Sequence, residues 1–506
     1  MFLYIIKRGR TIKHTILKSF ALVTFFSVAT RFLSFIFKII ISRYFGAEAV
    51  GVFQMSVSLL GFFIALTSSG LPLVLSRKIA ETKSEGNLAN GKRVTFCLVF
   101  SFALCLVIAL ILCLSKPLLS MYFQNQKSVA VFYILLPALF SSAIYSVIRA
   151  WLLGNKQFLT FSTTELLEEV LTILATVILA LVVNISGEKI IALAVTVADI
   201  LSVIVLFIIY FFKGGRLAKP TLEKDLIKCS LPITTSRILS AVIGTFSAFI
   251  IPYKLIEYGL TTSMATATFG RFTGMCMPLI NAPSALIGSL AVVLLPELSS
   301  LKVKSEATGR VEKSLIFAIF TAGVTVGLYL PLGKEITTLV FNDEISGKYV
   351  SYTAIIIFPL VVSQLSTSVL NALGGEKTTL KTFVIGSIPL IISITFLTKY
   401  MGVLSLSIGF FLSFLLTATL NLISLSKRHT LSLSTLKKML CLTFLSLTLG
   451  YFVKYVSGYV HLSNLPKIIV CFTIFIIPYM LVCYLLGLSP KKLGLKIFSK
   501  KGNKNG

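Results

Sequence analysis

Apolar runs of about twenty residues recur along this chain, and that recurrence decides what it can fold into. A membrane-spanning helix needs roughly 20 such residues. The runs fall at 19–42, 49–74, 94–115, 128–150, 165–185, 189–212, 228–251, 271–295, 314–333, 350–373, 380–399, 403–425, 437–457 and 466–488. They use up most of the 506 residues and leave little for a soluble domain. Composition agrees: 56% of residues are hydrophobic and 13% charged, where a soluble surface takes about 25% charged. A soluble enzyme, a disordered chain and a fibrous protein are excluded. The first run is longer than a signal-peptide core, contains Arg31 and Lys38, and lacks a cleavage site, so it reads as a retained span.

The net charge of +29 would suggest nucleic acid in a soluble protein. Here its distribution points instead to topology and anionic lipid, and no nucleic-acid partner is expected. With the N-terminus in the cytoplasm, the cytoplasmic segments hold 33 of the 47 Lys and Arg and the outer loops hold 10. A miscounted span would invert every later loop and spoil this alternation. An even number of spans, a cell-membrane location and two cytoplasmic termini follow.

The pattern Thr30-Arg31-Phe32-Leu33-Ser34 in span one returns as Ser236-Arg237-Ile238-Leu239-Ser240 in span seven. The run Val147 to Gly154, ending span four, is echoed by Val369 to Gly374, ending span ten, with a one-residue gap. The shared spacing of six helices implies two lobes in the same orientation, related by a two-fold axis along the membrane normal. The expected fold is an all-α polytopic membrane protein of about fourteen transmembrane helices. The expected parts are a cytoplasmic segment (1–18), an N-lobe of six helices (19–212), a C-lobe of six (228–425), helices thirteen and fourteen (437–488) and a basic cytoplasmic tail (489–506).

Charges inside spans carry the functional signal, because each costs on the order of 3 kcal/mol at mid-bilayer. Arg31 and Lys38 are seven residues apart in span one, which puts them on one helix face about 10 Å apart. Arg237 takes the place of Arg31 in the second lobe, and Arg271 opens span eight. Guanidinium forks hold phosphate bidentately and an ammonium adds a point charge, so these four are candidate ligands for an anionic substrate such as a pyrophosphate-linked lipid. Asp199 in span six is either a coupling site or the counter-ion of an arginine. Glu168 and Glu169 read as solvated acids near the start of span five. Gly70 and Pro72 in span two, with Pro278 and Pro283 in span eight, are candidate hinges. The eight Cys show no CxxC pattern. No metal cluster, nucleotide motif or Ser-His-Asp set stands out. Neither metal nor cofactor is expected, and the chain does not read as an enzyme.

The run from Thr30-Arg31 through Ser42-Arg43-Tyr44-Phe45-Gly46-Ala47-Glu48 to Gln54 resembles the first-helix signature of the stage V sporulation protein B family. So do Thr67-Ser68-Ser69-Gly70-Leu71-Pro72 and the stretch from Phe269-Gly270-Arg271-Phe272 to Ile287. These are polysaccharide-biosynthesis transporters of the multidrug/oligosaccharidyl-lipid/polysaccharide (MOP) flippase superfamily. The resemblance implies a fourteen-helix, two-lobed, V-shaped flippase that works by alternating access. Its implied cargo is an undecaprenyl-pyrophosphate-linked oligosaccharide or a lipid II-like peptidoglycan precursor. Cell-wall, spore-cortex or polysaccharide assembly is the implied setting, with membrane lipid and cell-wall synthesis proteins as partners. Arg31 matches a cavity arginine of related lipid II flippases, and Lys38 stands where the family often has Arg. Some relatives bind sodium with second-lobe carboxylates. Span seven here offers only Thr245 and Ser247, so no such site is expected. The alternative is a cation-coupled multidrug exporter on the same fold, which would want cavity carboxylates rather than cations.

Overall fold

The computed structural model describes residues 2–82, 86–221, 223–284, 287–288, 304–427 and 432–485. The expected tail at 489–506 and the end of the eighth run lie outside them. The described residues are helical almost throughout and contain no strand. Eleven of the helices are long and apolar enough to cross a membrane.

The chain forms two compact units, one of Met1–Tyr253 with Thr261–Gly270 and one of Lys254–Leu260 with Arg271–Gly506. The first unit is built from α1 (Phe2–Ser68), α2 (Leu71–Glu81), α3 (Gly86–Leu114), α4 (Lys116–Tyr122), α5 (Gln126–Gly154), α6 (Phe158–Val182), α7 (Gly187–Phe212), most of α8 (Lys224–Glu257) and α9 (Thr262–Gly270). Helix α5 is central, packing against α1, α2, α3 and α7. The second unit holds a π-helical turn (Arg271–Cys276), α10 (277–284), α11 (Lys304–Phe341), α12 (Glu344–Thr353), α13 (Ile357–Ala372), α14 (Glu376–Ile392), α15 (Thr398–Met401), α16 (Leu404–Ser426), α17 (Leu433–Ser457) and α18 (Asn464–Leu485). There α11 packs against α12, α13, α17 and α18.

Several boundaries differ from the sequence expectation, for related reasons. No loop separates the first two runs. The helix bends at Gly46, whose φ of 78° and ψ of 176° belong to a region that a Cβ disfavours. The seventh run contains Pro and Gly, yet α8 continues through Pro232, Gly244 and Pro252. A proline removes one donor from the ladder without requiring a break. Helix α6 begins at Phe158 rather than 165, and the eighth helical stretch begins at Thr262 rather than 271. Both early turns are rich in Ser and Thr, which lowers their hydropathy, yet the hydroxyls bond back to their own helix, as in Thr266 Oγ1 to Thr262 O at 2.8 Å.

The second internal echo has a structural counterpart in a shifted register. At the end of α5, Lys156 N donates to Leu153 O and Gln157 N to Leu152 O. At the end of α13, Gly374 N donates to Asn371 O and Gly375 N to Leu370 O. Lys156 (φ 60°) and Gly374 (φ 72°) occupy the left-handed position of the same C-terminal motif. Lys156, not Gly154, is therefore the counterpart of Gly374.

The sharpest packing in the first unit joins α9 to α1. A Cβ at Gly51 would lie 2.1 Å from the Thr266 carbonyl oxygen, and one at Gly270 2.2 Å from that of Ala47. Small residues let helix backbones approach where lipid supplies no hydrophobic drive. Just past the Gly46 bend, Glu48 closes the joint, accepting from Lys127 Nζ at 2.8 Å and Ser263 Oγ at 2.7 Å. The Lys127 hydrogen bond, reinforced by Ser263 against a smaller opposing effect of burial, holds this carboxyl below its ordinary range.

Two outcomes are expected in thermal unfolding of the detergent-solubilised protein. Gly51→Val costs about 1–3 kcal/mol, the usual range for overpacking, whereas Gly61→Ala, with nothing within 4 Å of its Cβ, is near neutral. Because the folded-state pKa of Glu48 is lowered, its stabilisation is present above the ordinary carboxylate pKa and fades as pH falls through the lowered one. Glu48→Gln is therefore less stable than wild type at pH 7, and the gap closes in acid. A gap that stayed constant with pH would contradict this.

Candidate functional site

The face of α1 that carries Arg31 also carries Ser34 and Lys38, at helical positions i, i+3 and i+7. This face meets α6. Ser34 Oγ donates to Glu169 Oε1, and half-buried Lys38 is electrostatically coupled to the same carboxylate. Arg31, one turn before Ser34, is exposed. Among the described residues it has no carboxylate within ion-pair distance. The first unit also holds Arg237, exposed on α8 and likewise unpaired among the described residues.

The acids are deeper than expected. Because α6 starts at Phe158, Glu168 and Glu169 are its eleventh and twelfth residues and are half-buried, not solvated acids at a helix start. Asp199 on α7 has Glu168 and Glu169 as its electrostatic neighbours, rather than an arginine. The three acids thus gather at one place, with Lys38 on one side. On the other side lies a group that sequence reasoning did not assemble. Arg149 Nη2 donates to Glu165 Oε2 at 3.0 Å, and its guanidinium lies 4.0 Å from the centroid of the Phe161 ring and 5.2 Å from that of Tyr145. Tyr145 and Arg149 are also electrostatic neighbours of Glu168. The available signal was a cation at the end of span four opposite the acids of span five. The fifteen residues between Arg149 and Glu165 hid it.

Arg271 lies in the second unit. With the helical stretch starting at Thr262, it stands nine residues inside the helix rather than at its opening, and it begins the π-helical turn. Its Nε donates to Asp343 Oδ2 at 2.8 Å. Asp343 Oδ1 accepts from Ser346 N at 2.7 Å and caps α12. The Arg271 charge is thus matched by a cap carboxylate.

At the candidate hinges, Gly70 and Ser69 do separate α1 from α2, and Pro72 sits in the first turn of α2, where its missing N–H costs nothing. Gly70 also admits α8: a Cβ there would lie 2.2 Å from Thr234 Oγ1 and 2.4 Å from Ser230 O. Pro278 and Pro283 follow the π-helical turn. Thr245 Oγ1 donates to Ser58 O at 2.9 Å and Ser247 Oγ to Ile243 O at 2.7 Å, so both hydroxyls are engaged in packing. No group of three His, Cys, Asp or Glu placed to hold a metal occurs among the described residues. The second unit bears an open apolar cavity of about 460 Å³ between α11, α13, α16 and α17, lined by residues such as Phe358, Phe411, Leu415 and Met439.

Two helical units, many apolar spans and ionisable groups set within those spans define a polytopic membrane protein. Sequence comparison places it further. Residues 16–302 match the polysaccharide biosynthesis protein family, and the chain belongs to that family. It is 23% identical over 363 residues to stage V sporulation protein B of Bacillus subtilis (strain 168), covering 68% of this chain and 70% of that protein. The fold is similar to that of the lipid II flippase MurJ, solved in an inward closed conformation, with a TM-score of 0.71 at 14% identity, covering 91% of this chain and 99% of that one. An inward-facing multidrug resistance MATE family transporter of the MOP superfamily matches with a TM-score of 0.61 at 14% identity, covering 82% and 95%. The all-α, two-lobed membrane fold expected from the sequence is thereby established, with eleven helices among the described residues long and apolar enough to span.

Asp343 serves both Arg271 and the α12 cap, so Asp343→Ala is expected to be less stable than Arg271→Ala by about 1 kcal/mol, the typical worth of a cap. Equal thermal midpoints for the two variants would show that the cap contributes nothing.

Proposed function

We propose that the protein flips an undecaprenyl-pyrophosphate-linked oligosaccharide or lipid II-like precursor across the cell membrane by alternating access, leaving the cargo chemically unchanged. The observation that carries this reading is the pair of exposed arginines, Arg31 and Arg237, set in apolar helices with no carboxylate partner among the described residues. An unpaired intramembrane guanidinium is stabilised by the anion it meets. Family membership and the likeness to MurJ and stage V sporulation protein B support the same cargo class. Lys38 adds a point charge beside Arg31, tempered by Glu169. Arg271, the fourth candidate cation, belongs to the second unit and has its charge matched there by Asp343. The apolar cavity of the second unit suits part of a prenyl chain.

Asp199, Glu168 and Glu169 are the coupling group in this reading, since carboxylates brought together in a membrane favour taking up a proton or cation. Gly70, Pro72, Pro278 and Pro283 mark where helices bend during the cycle. Residues 19–212 and 228–425 act as the two functional lobes, and both termini face the cytoplasm. Exposed Tyr400, Tyr451, Tyr455 and Tyr459 gather at the helix ends opposite the lysine-bearing start of α17, as interfacial tyrosines do. Cell-wall synthesis proteins would supply and receive the cargo.

The acidic group also favours the exporter reading, because cationic drugs want carboxylates. Proteoliposomes decide between them. Lipid II is expected to move, and the double variant Arg31→Ala, Arg237→Ala is expected to slow it about tenfold or more, the loss expected from removing charge-assisted hydrogen bonds. Unchanged lipid II movement in that variant would sink the cavity assignment. Transport of a cationic dye with no lipid II movement would replace the flippase by the exporter.

A further inference from the structure

The connection from α7 to α8 is held rigidly, although it lies outside the helices. Tyr210, fully buried and packed edge-on against Trp151 at 4.8 Å, donates its hydroxyl to Arg216 O at 2.8 Å. Ala218 N donates to Thr95 Oγ1 at 3.1 Å. Gly91 lets the connection lie close: a Cβ there would be 2.5 Å from Arg216 O. Glu223 turns inward, accepting from Arg93 Nε at 3.4 Å, while Arg93 Nη1 donates to Thr82 Oγ1 at 2.7 Å. A Gly214 φ of 84° and the bond from Gly215 N to Tyr210 O at 2.9 Å fix its start.

Everything that faces inward is thus bonded. The outward side presents Lys213, Arg216, Lys219, Lys224 and Lys228, all exposed and none in an ion pair among the described residues. Their placement is electrostatically unfavourable without a partner. Lys224 and Lys228 are a like-charged pair at i, i+4, in the first turns of α8, where the helix dipole disfavours cations. Exposed Asp225 offsets one charge of the five. Flexible lysines in a loose loop would relax this repulsion, whereas a pinned connection holds them together.

We infer that this connection is a docking surface for the anionic phospholipid headgroups of the leaflet it meets, holding the first unit at a set depth in the membrane. A row of cations at a membrane surface gains from each anionic headgroup it neutralises. Tyr210 and Leu226, which flank the connection, belong to the apolar cluster that also holds Leu71, Leu75, Trp151 and Leu206, so the cations adjoin the end of an apolar core, where charged side chains meet headgroups.

The test is native mass spectrometry of the full-length protein from mixed micelles containing phosphatidylglycerol or phosphatidylcholine. Wild type is expected to retain phosphatidylglycerol about tenfold better, scaled to the attraction of several surface cations. Replacing the five cations by Gln is expected to abolish the preference, and replacing the four lysines by Arg is expected to keep it. Should the five-fold variant fail to fold, Lys224→Gln with Lys228→Gln is expected to lower the preference by itself. A control, Lys437→Gln with Lys438→Gln on α17, should leave it unchanged. The inference is overturned by full preference in the five-fold or double variant, or by an equal loss in the control, which would assign the effect to net charge. It is also overturned if inorganic pyrophosphate binds the five cations while phosphatidylglycerol shows no preference. The readout is lipid retention rather than transport, so the flippase reading stands or falls separately.

Discussion

Internal satisfaction of hydrogen bonds is the constraint on which the rest of this structure depends. In a bilayer, a free N–H or C=O has no water to turn to. The helices meet this with their own ladders, and their Ser and Thr side chains do so as well. Thr172 bonds to Glu168 O, Thr176 to Thr172 O and Ser366 to Val362 O. Back-bonded hydroxyls are nearly apolar from outside, so a chain can carry many of them within its spans. Some hydroxyls act as connectors between helices, as when Ser446 reaches Gly323 O or Thr196 reaches Ile134 O. Close packing then requires small residues, and the Gly51–Thr266 and Gly270–Ala47 approaches supply it.

Charge is where that economy is broken, and each break is resolved differently. Arg93 is buried against Glu223, Thr82 and Asn90 and serves the fold. Arg271 is matched to a cap carboxylate. Arg149 combines an ion pair with two aromatic faces. Arg31 and Arg237 have neither. The contrast among five cations in one chain is more telling than any one position, because the structure shows what a settled arginine looks like in these surroundings.

The all-α membrane fold of many apolar spans was legible in the sequence, since hydropathy over twenty residues is a large signal. The units, however, divide after Tyr253 rather than near 212–228, so that Arg237 and most of α8, expected in the second lobe, fall in the first unit. Helix starts were not legible either. Thr262–Gly270 and the first turn of α6 are polar enough to escape a hydropathy reading, and missing them displaced Arg271, Glu168 and Glu169 by several residues in depth. The site was half legible for a related reason. An isolated charge in an apolar run announces itself, as Arg31, Lys38, Arg237 and Asp199 did. A charge at the end of a run looks like an ordinary loop residue, and so the Arg149–Glu165 pair and its link to Glu168 were invisible. The echo between α5 and α13 was found through letters two residues out of register, because the shared element is a helix terminus whose geometry Lys and Gly both meet.

That shared terminus sharpens a difference between the halves. Beyond the common motif, the α5–α6–α7 region of the first unit is ionic, with Arg149, Glu165, Glu168, Glu169 and Asp199. The α13–α14–α16 region of the second unit is bridged by neutral groups. Thr379 donates to Asn371, Thr382 donates to Asn421, and Asn421 donates to Thr367. Both sets satisfy polar groups within the membrane, but only the first can change its net charge by gaining or losing a proton. The two units thus differ in kind: one carries ionisable groups within its spans at this place, and the other joins its helices there through neutral side chains.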